Sequence, residues 1–168
     1  MRRHPDRELG SVVLRRFGTR ERCTVAGRRG RAWTIGAVAA GALLLSGCRM
    51  GTVTYVVDGD TIDVDGARIR VQGIDTPERG RCGYDRAKAR VSELVAGRRV
   101  VISNGGGDLR DRYDREIAYV QWDGLDLGTV LIGEGLAKAR YDGLDGYDRH
   151  SLQDRYRNLD VASPDICK

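Results

Sequence analysis

The stretch "VVDGDTIDVDGARIRVQGI", residues 56–74, constrains the fold more than any other part of the chain. β-Branched and apolar residues flank the dipeptide Asp65-Gly66, and Asp-Gly between two such runs is the signature of a tight antiparallel hairpin. "GTVTYVVDGDTIDV" and "ARIRVQGI" are therefore expected to be strands that pair early. The first strand carries an unusual acidic load in Asp58, Asp60, Asp63 and Asp65. Side chains alternate along a strand, so Asp58 and Asp60 are expected on one side of it. Like charges gathered at one spot repel unless a cation or protons intervene.

The rest of the chain reads as short strands interrupted by helices. "DRAKARVSELVAG" sets Ala87, Val91, Leu94 and Val95 at helical spacing, with Gly97 as a stop. "RRVVIS" is a short strand, and "NGGGDLRDRYD" holds too much Gly and charge to be anything but loop. "REIAYVQWDG" alternates as a strand, "LGTVLIGEG" is a short helix, "LAKARY" a final strand and "HSLQDRYRNL" a last helix. This order predicts a small α+β barrel, not a doubly wound sheet. A chain of 168 residues suffices for one domain with a real core.

The net charge of +5 misleads about the working domain. Residues 1–47 hold 10 of the 29 Lys and Arg but only 3 of the 24 Asp and Glu, which leaves residues 48–168 at −2. The basic character belongs to the leader, so the high pI says little about what the domain binds. In that leader Arg28, Arg29 and Arg31 precede "AWTIGAVAAGALLLSG", an apolar run of 16 residues. The order matches a secretory signal, and the run is shorter than the roughly 20 residues of a comfortable bilayer span. The ending "LSGC" resembles a bacterial lipobox, which implies cleavage before Cys48 and lipidation of that cysteine. An ordinary signal peptide ending near a Cys is the alternative. Residues 1–47 are thus expected to be a signal peptide and 48–168 the exported domain, either anchored to the outer face of the bacterial cytoplasmic membrane or secreted. Cys82 and Cys167 are the other cysteines left after cleavage. In an exported domain two such thiols point to a disulfide rather than a metal site, with two free thiols as the alternative.

Downstream of the acidic stretch, "QGIDTPE" offers Asp75, the Thr76 carbonyl and Glu78. Hard oxygen ligands without His or Cys nearby favour Ca²⁺ or Mg²⁺ over zinc. "VVDGDTIDVDGARIRVQGIDTPE", followed by "DRYDREIAYV" and "LIGEGLAKARY", resembles the thermonuclease family of staphylococcal-nuclease-like domains over most of residues 52–160. The resemblance implies a five-stranded OB-fold barrel with three helices. It also implies Ca²⁺-dependent cleavage of DNA and RNA that leaves 3′-phosphates and shows little sequence preference. Asp60 and Asp75 match the family's Ca²⁺-binding carboxylates, with the Thr76 carbonyl beside them and Asp58 as an outer-shell acid. Glu78 matches the proposed general base, and Arg70 and Arg115 match the phosphate-binding arginines. Arg112, Tyr113 and Tyr141 align with positions that hold the substrate's flanking phosphate and base. These types suit the chemistry, because a phosphodiester under attack gathers negative charge that a cation and planar guanidinium groups stabilise.

The chain departs from the family type in a tight "VDGA" turn, in "RGRCGYDRA" where a lysine-rich loop is usual, and in its acidic mature charge. That charge implies strongly salt-dependent nucleic-acid binding. His150, the one histidine after the leader, is expected to be solvated on the last helix. A monomer is expected. The alternative function is an OB module that holds single-stranded nucleic acid without cutting it. A Ca²⁺-stabilised adhesion domain would explain the acids but not the paired arginines.

Overall fold

The structure, a computed structural model, describes residues 47–167. Of the predicted signal segment, residues 1–47, all but Gly47 lie outside them. The hairpin forms where the sequence places it, between β2 (Thr61–Val64) and β3 (Ala67–Val71). Asp65 and Gly66 have φ of 48° and 85°, the two positive values that a tight Asp-Gly turn requires.

β1 (Cys48–Val56) serves two neighbours. Its first half, Cys48 to Thr52, pairs antiparallel with β5 (Arg99–Ser103), and its second half pairs with β2, with an irregularity between Val53 and Tyr55. Such a break in the ladder lets one strand turn from one sheet neighbour to the next. β6 (Glu116–Trp122) then pairs antiparallel with β5 and parallel with β3, in the register Ile69 to Glu116 and Val71 to Ala118. The ring β1-β2-β3-β6-β5 is a closed five-stranded OB-fold barrel. Closure satisfies the backbone groups that an open edge would leave exposed. Inside it Ile62, Val64, Ile69, Val100, Ile102 and Val120 are buried.

Three helices cover the barrel, making the domain α+β. α1 (Tyr84–Val95) buries Ala87, Val91 and Val95, one residue per turn on a single face. α2 (Leu127–Gly133) follows the short strand β7 (Leu125–Asp126), whose Asp126 caps it by accepting from the Thr129 amide at 2.8 Å. The same carboxylate accepts from the Tyr156 hydroxyl at 2.7 Å, which ties α2 to α3 (Gln153–Ala162). A disulfide joins Cys82 to Cys167, as the pairing of the two thiols predicts.

Five local expectations are corrected. The acidic stretch is not one strand, because β1 ends at Val56 and residues 57–60 form a turn before β2. There Asp58 Oδ1 accepts from the Asp60 amide at 3.1 Å, a side-chain bond that competes with the strand ladder. "ARIRVQGI" breaks after Val71, turning through Gln72 and Gly73 before the two-residue strand β4 (Ile74–Asp75), because the Gly73 backbone, at φ 77°, leaves the strand region. "LAKARY" is a strand, β8, only over Lys138–Ala139, and the last helix starts at Gln153 rather than at His150. His150 precedes that helix and is not solvated: it is 3% exposed and meets the Tyr119 hydroxyl through Nδ1 at 2.7 Å. Burial, set against the nearby Asp142, holds its pKa below the usual histidine value.

Candidate active site

The turn at 57–60 exists because three groups compel it. The amides of Val57 and Asp58 both bond to the Thr61 carbonyl, and Asp58 holds the Asp60 amide. Gly59 is required by space, since a Cβ there would lie 2.7 Å from Thr76 Oγ1 and 2.9 Å from Ala87 Cβ. The result turns Asp60 inward, where it is 7% exposed.

A buried carboxylate is tolerated only with partners. Asp60 Oδ2 accepts from the Thr76 amide at 3.0 Å and from its hydroxyl at 2.9 Å. Oδ1 accepts from Thr61 Oγ1 at 3.1 Å and meets Arg70 Nη1 at 3.1 Å. Thr76, expected for its carbonyl, thus also serves Asp60 through its N–H and O–H. Burial, and then the neighbouring Asp60, push the Asp58 carboxyl above its usual range.

Arg70 is the hinge of the arrangement. It stands opposite Thr61 in the hairpin register, and its other nitrogen, Nη2, lies 3.6 Å from Asp75 Oδ1. Asp60 and Asp75 therefore flank one guanidinium. Tyr141 closes that side: its hydroxyl donates to Asp75 at 3.1 Å, and its ring lies 5.3 Å from the Arg70 guanidinium carbon. Tyr141 holds this place at φ 59°, a backbone state uncommon for a bulky residue and one that clusters at functional sites. Burial, and then the Asp75 charge, raise its phenol above the usual pKa.

The second arginine arrives by strand pairing. β3 and β6 run parallel, and Arg115 immediately precedes β6, so it reaches the hairpin with Nη1 3.4 Å from Thr61 Oγ1. Asp111 clamps it, with Oδ2 accepting from Arg115 Nε at 2.6 Å and Oδ1 from its amide at 3.0 Å. Burial pushes the Asp111 carboxyl up, but the bonds from Arg115 and the Tyr113 amide outweigh it and leave it below its usual range. The Tyr113 ring spans both loop arginines, 5.3 Å from the Arg115 guanidinium carbon and 4.8 Å from that of Arg112.

These groups open onto one cleft of about 560 Å³, which also takes in Asp58, Glu78, Arg112 and Gln72. Glu78 is exposed on its rim, three residues beyond Asp75. The structure thus brings Asp58, Asp60, Arg70, Asp75, Glu78, Arg112, Tyr113, Arg115 and Tyr141 to one place. Cys82 and Cys167 lie outside the cleft's lining, as does Cys48, at the start of β1.

Sequence reasoning missed three contributors. Asp111 stands four residues before Arg115, a spacing that could have suggested the clamp. Tyr147 packs edge-on against Tyr141, with centroids 5.5 Å apart, and also lines the cleft. Gln72 bridges from the barrel to the glycine loop, donating to the Gly106 carbonyl at 2.7 Å and accepting from the Gly105 amide at 2.9 Å. No local pattern announces these last two.

As chemistry, the cleft offers two guanidinium groups set by carboxylates, a solvent-facing carboxylate, an oxygen-only donor set and exposed aromatic faces. It suits a phosphodiester flanked by bases. Residues 68–158 match the family described as Staphylococcal nuclease homologue. Endonuclease YncB of Bacillus subtilis is 38% identical over 101 residues, covering 54% of this chain and 47% of that protein. Thermonuclease of Staphylococcus intermedius is 35% identical over 117 residues, 64% of each chain. Micrococcal nuclease of Shigella flexneri is 33% identical over 107 residues, 55% of this chain and 60% of that one. The chain thus spans about half to two thirds of the length of these relatives.

Proposed function

Because the chain belongs to the staphylococcal nuclease homologue family, we propose that it is a Ca²⁺-dependent nuclease that hydrolyses phosphodiester bonds of DNA and RNA with little sequence preference, leaving 3′-phosphates. The observation that carries the reading is the convergence of Arg70, Arg115 and Glu78 on one cleft with Asp60 and Asp75.

Arg70 and Arg115 present planar, bidentate donors to the non-bridging phosphate oxygens, and their carboxylate clamps hold them in place before substrate arrives. Glu78 accepts a proton from the attacking water. The water oxygen bonds to phosphorus and the P–O5′ bond breaks, the leaving O5′ taking a proton from solvent, which leaves a 3′-phosphate and a 5′-hydroxyl. Tyr113 and Tyr141 offer rings that stack any base, in keeping with low sequence preference. Arg112 supplies charge for a flanking phosphate.

The donor chemistry fits a hard cation. Among the described residues no cluster of three or more His, Cys, Asp or Glu is spaced to hold a metal. Asp60 and Asp75, which flank the Arg70 guanidinium at 3.1 and 3.6 Å, would with the Thr76 carbonyl hold Ca²⁺, and the remaining oxygen positions would fall to water and substrate. When bound, the ion neutralises developing charge on the phosphoryl oxygens.

The test is cleavage of plasmid DNA and of RNA by the purified protein, with Ca²⁺ and with excess chelator, followed by end-group analysis. Cleavage with Ca²⁺ that stops on chelation and yields 3′-phosphates supports the reading. Binding without cleavage would favour the OB binding module. We propose further that the domain acts outside the cytoplasm, held by lipid on Cys48, and the Cys82–Cys167 disulfide supports an oxidising compartment.

A further inference from the structure

The segment that carries Glu78 is pinned at its two ends by very different means. Upstream, Thr76 is buried and bonds Asp60. Downstream, residues 78–82 are all exposed, and two backbone bonds shape them: the Arg81 amide to the Glu78 carbonyl at 2.9 Å and the Tyr84 amide to the Arg81 carbonyl at 3.2 Å. The helix that follows cannot anchor them through a side-chain cap, because its N-cap is Gly83, at φ 90°. The covalent tie at this end is Cys82, bonded to Cys167 across 85 residues of sequence. Around Gly83 the space is filled: a Cβ there would meet Pro77 at 3.1 Å, Ile166 at 3.2 Å and the Cys167 sulfur at 3.5 Å. The C-terminal tail therefore meets the chain at Cys82 and Gly83, downstream of the Glu78 turn, and Pro77, immediately before Glu78, borders the same space at Gly83.

We propose that the Cys82–Cys167 disulfide is a positioning element for Glu78, holding the turn so that its carboxylate stays on the cleft. Asp60, Asp75, Arg70 and Arg115 are set by the barrel and by their own ion pairs, which do not involve this tail. Opening the disulfide should therefore disturb the proton-accepting group and spare the phosphate-binding ones. This rests on the nuclease reading above.

The test compares the full chain in its oxidised form, after reduction with excess dithiothreitol, and as Cys82→Ser/Cys167→Ser. Reduction gives two thiols, with the dithiol leaving as its cyclic disulfide. Measurements are made well below each form's Tm, with kcat and KM on DNA determined separately. Displacement of a reacting group by about 1 Å can cost up to roughly 100-fold. The expected result is a kcat roughly 10- to 100-fold lower in the reduced and double-serine forms, with KM within about twofold. Glu78→Gln supplies the discriminating arm. If the disulfide acts through Glu78, opening it in Glu78→Gln should lower kcat by less than about twofold further, because the group it positions no longer takes the proton. A lower Tm with unchanged kcat would overturn the proposal. So would an equal kcat loss in the wild-type and Glu78→Gln backgrounds, which would mark a general loosening. Oxidised wild type that fails to cleave at all would instead overturn the nuclease reading, and this inference with it.

Discussion

Asp111→Asn is the sharpest way to ask whether the Arg115 clamp matters. The substitution is nearly isosteric and keeps an oxygen for the Arg115 and Tyr113 amides, which Asp111 Oδ1 holds at 3.0 and 2.9 Å. What it removes is the charge and the acceptor oxygen facing Arg115 Nε at 2.6 Å, since the amide NH2 that replaces Oδ2 can only donate. A hydrogen bond to a charged group contributes about 1.5–3 kcal/mol. Asp111 and Arg115 side chains are 18% and 25% exposed, so solvent screens part of that, and about 1–2 kcal/mol is the expected loss of preorganisation. This converts to roughly a 5- to 30-fold fall in cleavage rate. If Arg115 acts on the transition state, the fall appears in kcat and kcat/KM alike. The folded pKa of Asp111 lies below the unfolded one, near 3.8, so the ion pair is fully present above that value and is lost as pH falls through the folded pKa. The gap between wild type and Asp111→Asn should therefore hold constant from pH 6 to 8. Steady-state cleavage of a fluorescent oligonucleotide measures it. A variant within twofold of wild type, or one altered in KM alone, would refute the clamp.

Gly59→Ala should destabilise the fold by about 1–3 kcal/mol, because its methyl would press on Thr76 and Ala87, and thermal unfolding reads this directly. Burial depresses the folded pKa of His150, so the unfolded chain binds the extra proton and stability should fall as pH drops below about 6.5. Urea midpoints at pH 7.5 and 5.5 should show that loss, and His150→Gln should flatten it; an equal slope in both proteins would exclude His150 as its source. Cys48→Ser should release the protein from the membrane fraction or leave it unprocessed, and an unchanged fraction and mass would count against lipidation.

Much of the site was legible because its parts are local. Asp60, Arg70, Asp75 and Glu78 fall within one hairpin and its exit, and the Asp-Gly turn sets which residues face one another. The closed barrel was legible through the succession of short strands. What escaped was decided by partners far away in sequence. His150 reads as solvated because nothing near it announces that Tyr119 and Gly73 enclose it. Asp58 and Asp60 read as strand residues because β-branched neighbours dominate the window, whereas the Asp58 side chain bonds the Asp60 amide and makes a turn. Gln72 and Tyr147 matter through contacts with loops whose course no periodicity describes.

The proposed function requires this cleft to recognise a phosphodiester as it is cut. Single-turnover cleavage of DNA by Arg115→Lys, at saturating protein and with Ca²⁺ present, tests it most directly. Lysine keeps the charge but loses the planar fork. The expected rate is roughly 10²–10³-fold below wild type, the cost of losing one preorganised donor to the transition state. Cleavage at the wild-type rate by Arg115→Lys would contradict it.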